Sequence, residues 1–313
     1  GRLGEVSLPV GIIEGGEIKK PEEFRRILLD LKAKWPFTNV FISLPDDHSY
    51  TFYLNLPLLK PEEIYGAIEL QIEEYVPLPA PEIVFDYEVL SQNKQTDSLS
   101  VGVAAFPRNI VVGYQEVFAQ AGMNLLAIET QGGALARALC DGEKNSNTVI
   151  VDLGKNHTAI FLVKAGTVIH AATVPIGGTA ITHNLEKALD LEFAEAEKLK
   201  RAQGLLRSEP NRAAFEAMIP VVAAICDEIE RLTTFWLRQG EKEEIKLEQI
   251  VLTGGQSSLP GFVEYLSNNI GCPVVVGNPW IKVFPTGAVV KELPYNEALR
   301  YGITIGLALR NFK

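Results

Sequence analysis

Residues 149–163 read VIVDLGKNHTAIFLV, an apolar run that stops at an aspartate and resumes after a short polar turn. Asp152 ends the first run, and Gly154 and three polar residues precede the second. A strand–turn–strand unit needs only a turn signal, whereas an unpaired carboxylate at the end of a buried strand costs free energy. The pattern therefore predicts a β-hairpin and points to a bound group at its turn.

Length and composition limit the class of protein. The chain has 313 residues, enough for one large or two moderate domains. Hydrophobic residues make up 47% and charged residues 22%, the balance of a globular protein in water. The net charge of −10 argues against a nucleic-acid partner, but it leaves room for a basic peptide or for a nucleotide carried with a metal ion.

Cysteine, histidine and apolar patterning set further limits. Cys140, Cys226 and Cys272 form no CxxC pair, which predicts buried reduced thiols in a cytoplasmic protein. The histidines show no zinc spacing. No apolar run approaches the ~20 residues that span a bilayer, and we identify no signal peptide. We therefore expect no direct membrane insertion, so that another chain would have to hold the protein at a membrane.

Strands and helices alternate along the chain, bounded by proline, glycine and polar turns. The helix at 61–75 is expected to place Ile64, Ile68, Ile72 and Tyr75 on one side. The run DGEKNSN, residues 141–147, is the best linker candidate. The other predicted helices are 20–35, 108–121, 132–139, 179–189, 193–204, 211–239, one within 250–271, and 295–310. The predicted strands are 39–45, 50–57, 82–90, 98–106, 124–129, 148–153, 158–164, 167–174, one at the start of 250–271, and the run PVVVGNP.

Three glycine-containing turns each follow an apolar strand. They are Asp152–Gly154, the pair Gly177 and Gly178, and the pair Gly254 and Gly255. Glycine lets backbone N–H groups approach phosphate oxygens, and the N-terminus of a helix favours anions. An aspartate at a strand end can hold Mg²⁺ through water beside those phosphates. Each turn alone is more simply explained as a tight turn, and Asp152 alone as a turn cap, but the ordered set is more specific.

The order of these three turns along the chain resembles that in the second lobe of actin-like ATPases. Over nearly the whole chain the sequence is similar to the PilM family, actin-like proteins of type IV pilus assembly. The similar segments include ELQIEEYVPLPAPEIVFDYEVL, VDLGKNHTAIFLV, VPIGGTAIT, EAEKLK, VLTGGQSSLPGFVEYLSNNIGCPVVVGNP and GITIGLALR. The resemblance implies a two-lobed α/β fold of the actin (ribonuclease-H-like) type, with an inserted small α+β domain of the SHS2 type that the family shares with the division protein FtsA.

The resemblance also implies a division of the chain. Residues 1–37 would be the remnant of lobe one, 38–125 the inserted domain and 126–144 the connecting helix of lobe one. Residues 145–294 would be the nucleotide-binding lobe two, and 295–313 a helix that returns to lobe one. The family's first phosphate hairpin does not occur in this numbering: either the chain was trimmed or the protein has lost it. We expect nucleotide binding in the full-length protein and weak or no binding by these 313 residues alone.

The resemblance implies ATP or ADP with Mg²⁺ in the cleft between the lobes. Asp152 would hold the Mg²⁺ through water, and Glu197 and Lys200 would flank the adenosine. From the residues alone, Glu197 and Lys200 share one helical face, and the alternative is a surface ion pair that contributes little. The expected nucleotide-binding residues are Asp152, Gly154, Thr158, Gly177, Gly178, Glu197, Lys200, Gly254, Gly255 and Ser257.

Glu129 is the one candidate catalytic residue. It falls where the family has an acidic residue in the first connecting segment, and it could cap the following helix or orient a water. The chain departs from the family at Lys155, Asn156 and His157, where small or hydroxyl residues are usual, and at Gln256, where glycine is frequent.

The resemblance implies a protein partner as well. The short N-terminal cytoplasmic tail of a PilN-type inner-membrane protein would bind the small domain and its junction with lobe one, and the pilus motor ATPase is a second candidate partner. The strand at 50–57 alternates, so we expect one of Phe52 or Tyr53 to point outward, with an acidic rim on the following helix. The alternative is that both aromatics belong to the sheet's core and rim. The expected partner-binding residues are Phe52, Tyr53, Glu62, Glu69 and Glu73.

Three classes of function remain open. The first is a nucleotide-dependent scaffold held at the cytoplasmic face of the inner membrane by its partner, with slow or absent hydrolysis. The second is an active ATPase or small-molecule kinase of the same superfamily, and the third is an FtsA-like filament protein of cell division. The scaffold is favoured because no catalytic base beside a sugar pocket and no C-terminal amphipathic membrane helix can be identified.

Overall fold

The computed structural model describes residues 4–46, 49–93, 96–140, 147–238, 247–284, 293 and 295–310. The chain forms two compact units, Gly1–Gln131 and Gly132–Lys313. The predicted linker at 141–147 falls outside the described residues except for Asn147.

The first unit contains a core built from helices α1 (Pro21–Lys34) and α3 (Arg108–Gln120). Pro21 opens α1, where its fixed φ suits the first turn, and Phe24 and Leu28 are buried against α3. Strands β3 (Asn39–Leu44) and β7 (Asn124–Thr130) pair in parallel beside these helices. A hairpin of β1 (Ile13–Glu14) and β2 (Glu17–Ile18) precedes α1.

A second core within this unit forms a small α+β layer. Its antiparallel sheet has the order β4 (Tyr50–Pro57), β6 (Ser98–Pro107), β5 (Ile83–Asn93), and α2 (Pro61–Glu69) covers one face. The small core is thus narrower than the predicted domain at 38–125, because β3, β7 and α3 belong to the core of α1.

The helix of the small layer differs from its prediction. It ends at Glu69, and a 3₁₀ turn at Ile72–Glu74 follows. The tighter turn keeps Ile72 buried and turns Val76 inward, whereas Tyr75 is 43% exposed. Tyr75 stacks on Phe52 of the sheet, so it lies on the side of the three isoleucines as predicted, at the edge of the core that Val76 fills.

The second unit is built on a five-stranded sheet of order β10–β9–β8–β11–β12. The strands are β8 (Asn147–Leu153), β9 (Thr158–Lys164), β10 (Thr167–Val174), β11 (Gln249–Thr253) and β12 (Val274–Val276). β8, β9 and β10 form an antiparallel meander, and β11 runs parallel to β8 and β12. β8 is buried on both faces, which explains its continuous apolar sequence.

Helices cover this sheet. α4 (Gln131–Leu139) packs on one face, where Leu135 and Ala136 join the core of β8 and β9. The long α7 (Arg212–Arg238) contacts β9 and β10 and packs against α5. The remaining helices are α5 (Gly178–Leu189), α6 (Phe193–Gln203), α8 (Phe262–Ile270), α9 (Tyr295–Ala298) and α10 (Gly302–Ala308).

The C-terminal segment was predicted as one helix and is instead divided by a 3₁₀ turn at Leu299–Tyr301. It packs on α4 within the second unit, where Arg137 donates to the carbonyl of Gly306 at 2.8 Å. The three cysteines are buried, as predicted, and none of them forms a disulfide. Among the described residues, no helix is both long and apolar enough to cross a membrane.

Candidate functional site

Asp152 lies at the carboxyl end of β8, opposite Thr253 of β11. Ligands of α/β sheets bind at the carboxyl ends of parallel strands, so this edge is the natural place for a site. Burial raises the pKa of Asp152 to about 6, and the positive charge of His157 acts in the opposite direction. A carboxylate that is costly to ionise within the protein gains from a cation beside it.

Gly254 begins the turn after β11 and touches the carboxylate of Asp152. It has a φ of +89°, and a Cβ built there would come within 2.2 Å of Asp152 Oδ1. Its N–H donates to Leu299 O at 3.2 Å, and its carbonyl accepts the hydroxyl of Ser257 at 2.7 Å. The first glycine of this turn is therefore required by both conformation and space.

The β8–β9 turn packs on the start of α5. Gly178 N–H donates to Gly154 O at 3.0 Å, and Thr179 N–H donates to Lys155 O at 2.7 Å. A Cβ on Gly177 would lie 2.7 Å from the backbone nitrogen of His157. The glycine pair thus lets the N-terminus of α5 approach the turn beside Asp152.

Thr158 has a structural place in this arrangement. Its side chain is fully buried, and its hydroxyl donates to Ile176 O at 2.7 Å. The hydroxyl therefore joins β9 to the segment that leads into α5.

Gln256 covers Gly178, the first residue of α5. A Cβ on Gly178 would lie 2.4 Å from the side-chain carbonyl carbon of Gln256. The sequence marked Gln256 only as a departure from the family, and the structure shows that its buried side chain joins the turn after β11 to the start of α5.

Lys200 is the buried centre of a polar network. Its side chain is 1% exposed, and its ammonium donates to Gly178 O at 3.0 Å and to Thr182 Oγ1 at 2.9 Å. It also pairs with Glu197 Oε2 at 2.7 Å. The hydroxyl of Thr182 donates to the same carboxylate oxygen at 2.6 Å, and Arg201 donates to its other oxygen at 2.7 Å.

Burial and hydrogen bonding together set the pKa values of Glu197 and Lys200. Burial alone would raise the pKa of Glu197, but hydrogen bonds from Lys200, Thr182 and Arg201 lower it to about 2. Burial lowers the pKa of Lys200, and the charge of Glu197 opposes that change. Three acceptors satisfy the three donors of the ammonium, which is the condition for burying a lysine.

The expected role of Lys200 needs revision. The prediction had both Glu197 and Lys200 flank a ligand. In the structure the ammonium of Lys200 is buried and donates to the carbonyl of Gly178, so it stabilises the first turn of α5. Glu197 keeps 22% of its side chain exposed. Sequence reasoning did not identify Thr182, although its position one helical turn after Gly178 places it on the same face.

The donor set suits Mg²⁺ only together with a phosphate ligand. Asp152 supplies one carboxylate, and the described residues contain no group of three or more metal-ligating side chains. Mg²⁺ is commonly held by one or two carboxylates with phosphate and water completing the shell. The residues present therefore fit a magnesium nucleotide and do not fit a free structural cation.

Glu129 lies in β7 of the first unit, opposite Ser43. It is partly buried, and its catalytic role stays a prediction.

The predicted partner surface is divided between two sides of the small sheet. Phe52 points into the core and stacks on Tyr75 at a ring-centroid distance of 4.6 Å, so Phe52 is the inward-facing one of the two aromatics, of which one was expected to point outward. Tyr53 lies on the opposite face. Glu62, Glu69 and Glu73 lie on the α2 side, and Glu73 accepts the N–H of Ala80 at 2.8 Å. Tyr53 and these glutamates therefore cannot line one groove.

Solved structures share the fold. The chain aligns with a structure described as a "PilM-PilN type IV pilus biogenesis complex" at a TM-score of 0.78 and 22% identity, over 97% of this chain and 89% of that one. It aligns with MreB5 of Spiroplasma citri bound to AMPPNP at a TM-score of 0.56 and 12% identity, over 96% and 78% of the two chains. These likenesses confirm the predicted actin-like fold.

Sequence comparisons identify the family of this chain. Cell division protein FtsA of Pseudomonas aeruginosa is 29% identical over 159 residues, which cover 45% of this chain and only 38% of that protein. The family model for type IV pilus assembly protein PilM matches residues 1–312. The chain therefore belongs to the PilM family of type IV pilus assembly proteins.

Proposed function

We propose that this protein is a nucleotide-dependent scaffold of type IV pilus assembly. It binds ATP or ADP with Mg²⁺ at the carboxyl ends of β8 and β11, and it binds the N-terminal cytoplasmic tail of a PilN-type inner-membrane protein on its small sheet. That tail holds it at the cytoplasmic face of the membrane.

The convergence of three turns on Asp152 carries the nucleotide part of the proposal. The turn after β11 touches the carboxylate through Gly254, and the β8–β9 turn rests on the N-terminus of α5. The dipole at the N-terminus of α5 favours phosphate at such a place. The relative bound to AMPPNP supports the same class of ligand.

The residues have separate tasks in this site. A bound Mg²⁺ would neutralise phosphate charge, and Asp152 would orient its water shell. Gly254 leaves room for the carboxylate, and Lys200 holds the carbonyl of Gly178 so that the first turn of α5 keeps its direction. Glu197 borders the nucleoside side, and the buried Ser257 holds the turn after β11 through its bond to Gly254 O. We propose slow or absent hydrolysis, since Glu129 is the single candidate base.

The outer face of the small sheet is the better partner surface. Tyr53 of β4 lies level with Gly102 of β6, and Gly102 lies level with Glu88 of β5. Gly102 has no side chain, so the middle strand forms the bottom of a shallow groove. Tyr53 forms its aromatic wall and Glu88 its acidic wall. An extended basic tail with apolar side chains suits such a groove, since charge sets orientation and buried side chains supply affinity.

One end of this face is already occupied. Phe106 and Val84 pack against the core of α1 and α3, so the groove is open toward Tyr53 and Glu88 and closed at the junction of the two cores. The likeness to a PilM protein solved in complex with PilN supports a PilN-type tail as the occupant.

Fluorescence anisotropy tests the scaffold role directly. A labelled peptide with the sequence of the PilN-type tail is titrated with the protein, with a scrambled peptide as the control. We expect saturable binding to the tail peptide alone. A tail peptide that binds no better than the scrambled one would contradict the scaffold function.

A further inference from the structure

A short segment near the C-terminus is fastened to the turn after β11. The carbonyl of Leu299 accepts the N–H of Gly254 at 3.2 Å and the hydroxyl of Thr253 at 3.3 Å. Leu299 itself is buried, whereas the next residue, Arg300, is exposed. The backbone thus fixes an exposed arginine at the rim of the candidate site, a residue that no glycine or aspartate motif singles out.

The side chain of Arg300 lies across Gly255. A Cβ built on Gly255 would come within 3.3 Å of Arg300 Cγ and 3.8 Å of its Cδ. Gly255 is exposed, in contrast to the buried Gly254. The aliphatic stem of the arginine and the bare backbone of the glycine therefore form a flat patch beside the turn.

The guanidinium of Arg300 lies near the ring of the next residue. Its central carbon is 5.9 Å from the centroid of the Tyr301 ring. The stem of Arg300 thus borders the Gly255 side of the site.

We propose that Arg300 is a base contact of the bound nucleotide, with its planar guanidinium stacked on the purine ring. This inference rests on the nucleotide site proposed above. A guanidinium stacks well on aromatic faces, and its planar shape distinguishes it from the compact ammonium of lysine. The flat patch of stem and glycine gives a ring room to approach, and the phosphates remain at the Asp152 end.

Calorimetric titration of the full-length protein with ATP and with inorganic triphosphate, both with Mg²⁺, tests this assignment. Stacking of this kind contributes about 0.5–1.5 kcal/mol, so we expect Arg300→Ala to weaken ATP binding about three- to tenfold and to leave triphosphate binding unchanged. Arg300→Lys should restore little of the lost affinity, because lysine keeps the positive charge but lacks the planar guanidinium. Arg212→Ala removes another exposed arginine, on α7, and serves as the matched control.

Two results would contradict the assignment of Arg300 as a base contact and leave the proposed nucleotide site intact. Equal losses for ATP and triphosphate, with recovery in Arg300→Lys, would make Arg300 a phosphate contact. Unchanged ATP affinity in Arg300→Ala would remove it from the site. If the unaltered protein does not bind ATP, the nucleotide site itself fails, and that outcome is seen before any variant is compared.

Discussion

Gly254 lies directly against Asp152, with the position of its missing Cβ only 2.2 Å from Asp152 Oδ1. This contact joins the end of β8 to the turn that follows β11. It holds a carboxylate among backbone groups, where burial raises its pKa to about 6. A turn selected for stability alone has no need of such a group, so the pair is the strongest structural sign of a ligand in the second unit.

Gly254→Ala should destabilise the protein strongly. The new methyl group meets the Asp152 carboxylate and Leu153 O, and the φ of +89° disfavours any side chain. We expect a loss of about 2–4 kcal/mol in the free energy of unfolding, measured in urea.

Gly271→Ala is the matched control for that variant. Gly271 has a φ of +68° but nothing within 4 Å of its Cβ position, so its substitution should cost only about 1 kcal/mol. Equal losses in the two variants would show that contact with Asp152 has no energetic weight.

Asp152→Asn should stabilise the protein in the absence of nucleotide. The pKa of Asp152 is raised in the folded state, so its contribution to stability is fully present below about pH 4 and is lost as the pH rises through about 6. The asparagine variant should avoid this loss and gain about 1–3 kcal/mol at pH 7.

The pH profile of unfolding checks that prediction. Between pH 4 and pH 6 the unaltered protein should lose stability relative to Asp152→Asn, with the gap constant above pH 7. Parallel profiles for the two proteins would mean that the carboxylate is not destabilised by burial.

Lys200→Met should be severely destabilising. It leaves Glu197, Thr182 and the carbonyl of Gly178 without their shared donor, and loss of one partner of a buried pair costs about 3–5 kcal/mol. Lys198→Met, on the exposed side of the same helix, should change stability little. Thermal unfolding of both variants is the measurement. Equal unfolding temperatures for the two variants would contradict a stabilising role of Lys200.

Tyr53→Ala and Glu88→Lys should weaken binding of the PilN-type tail. Removal of the aromatic wall should cost about 1–2 kcal/mol, and reversal of the acidic wall should weaken binding most at low salt. Glu69→Lys makes the same charge change on the α2 side and should leave anisotropy titrations unchanged. A larger effect of Glu69→Lys than of Glu88→Lys would place the tail on the α2 side instead.

Local patterns were sufficient to predict the meander of β8, β9 and β10. The apolar runs are continuous, the turns contain glycine or polar residues, and the strands pair with their neighbours in sequence. The position of α1 was equally clear from Pro21 and the spacing of Phe24 and Leu28. Such elements depend on interactions between residues close in the chain.

Features that depend on distant packing were not predictable. Helical spacing places Glu197 and Lys200 on one face, but only the contact of α6 with α5 decides that this face is buried. Alternation likewise separates Phe52 from Tyr53 without showing which side α2 covers. Resemblance to the family implied a ligand-facing role for Lys200 that the packing in this structure does not support.

The nucleotide site is tested most directly by calorimetric titration of ATP into the full-length protein, with Mg²⁺ and with a chelator, and then into Asp152→Asn. We predict saturable binding that requires Mg²⁺ and that weakens about tenfold or more when the carboxylate is replaced, since one charge-assisted interaction contributes about 1.5–3 kcal/mol. Binding that is equally tight without Mg²⁺ and in Asp152→Asn, or no binding at all, would contradict a magnesium nucleotide site at the end of β8.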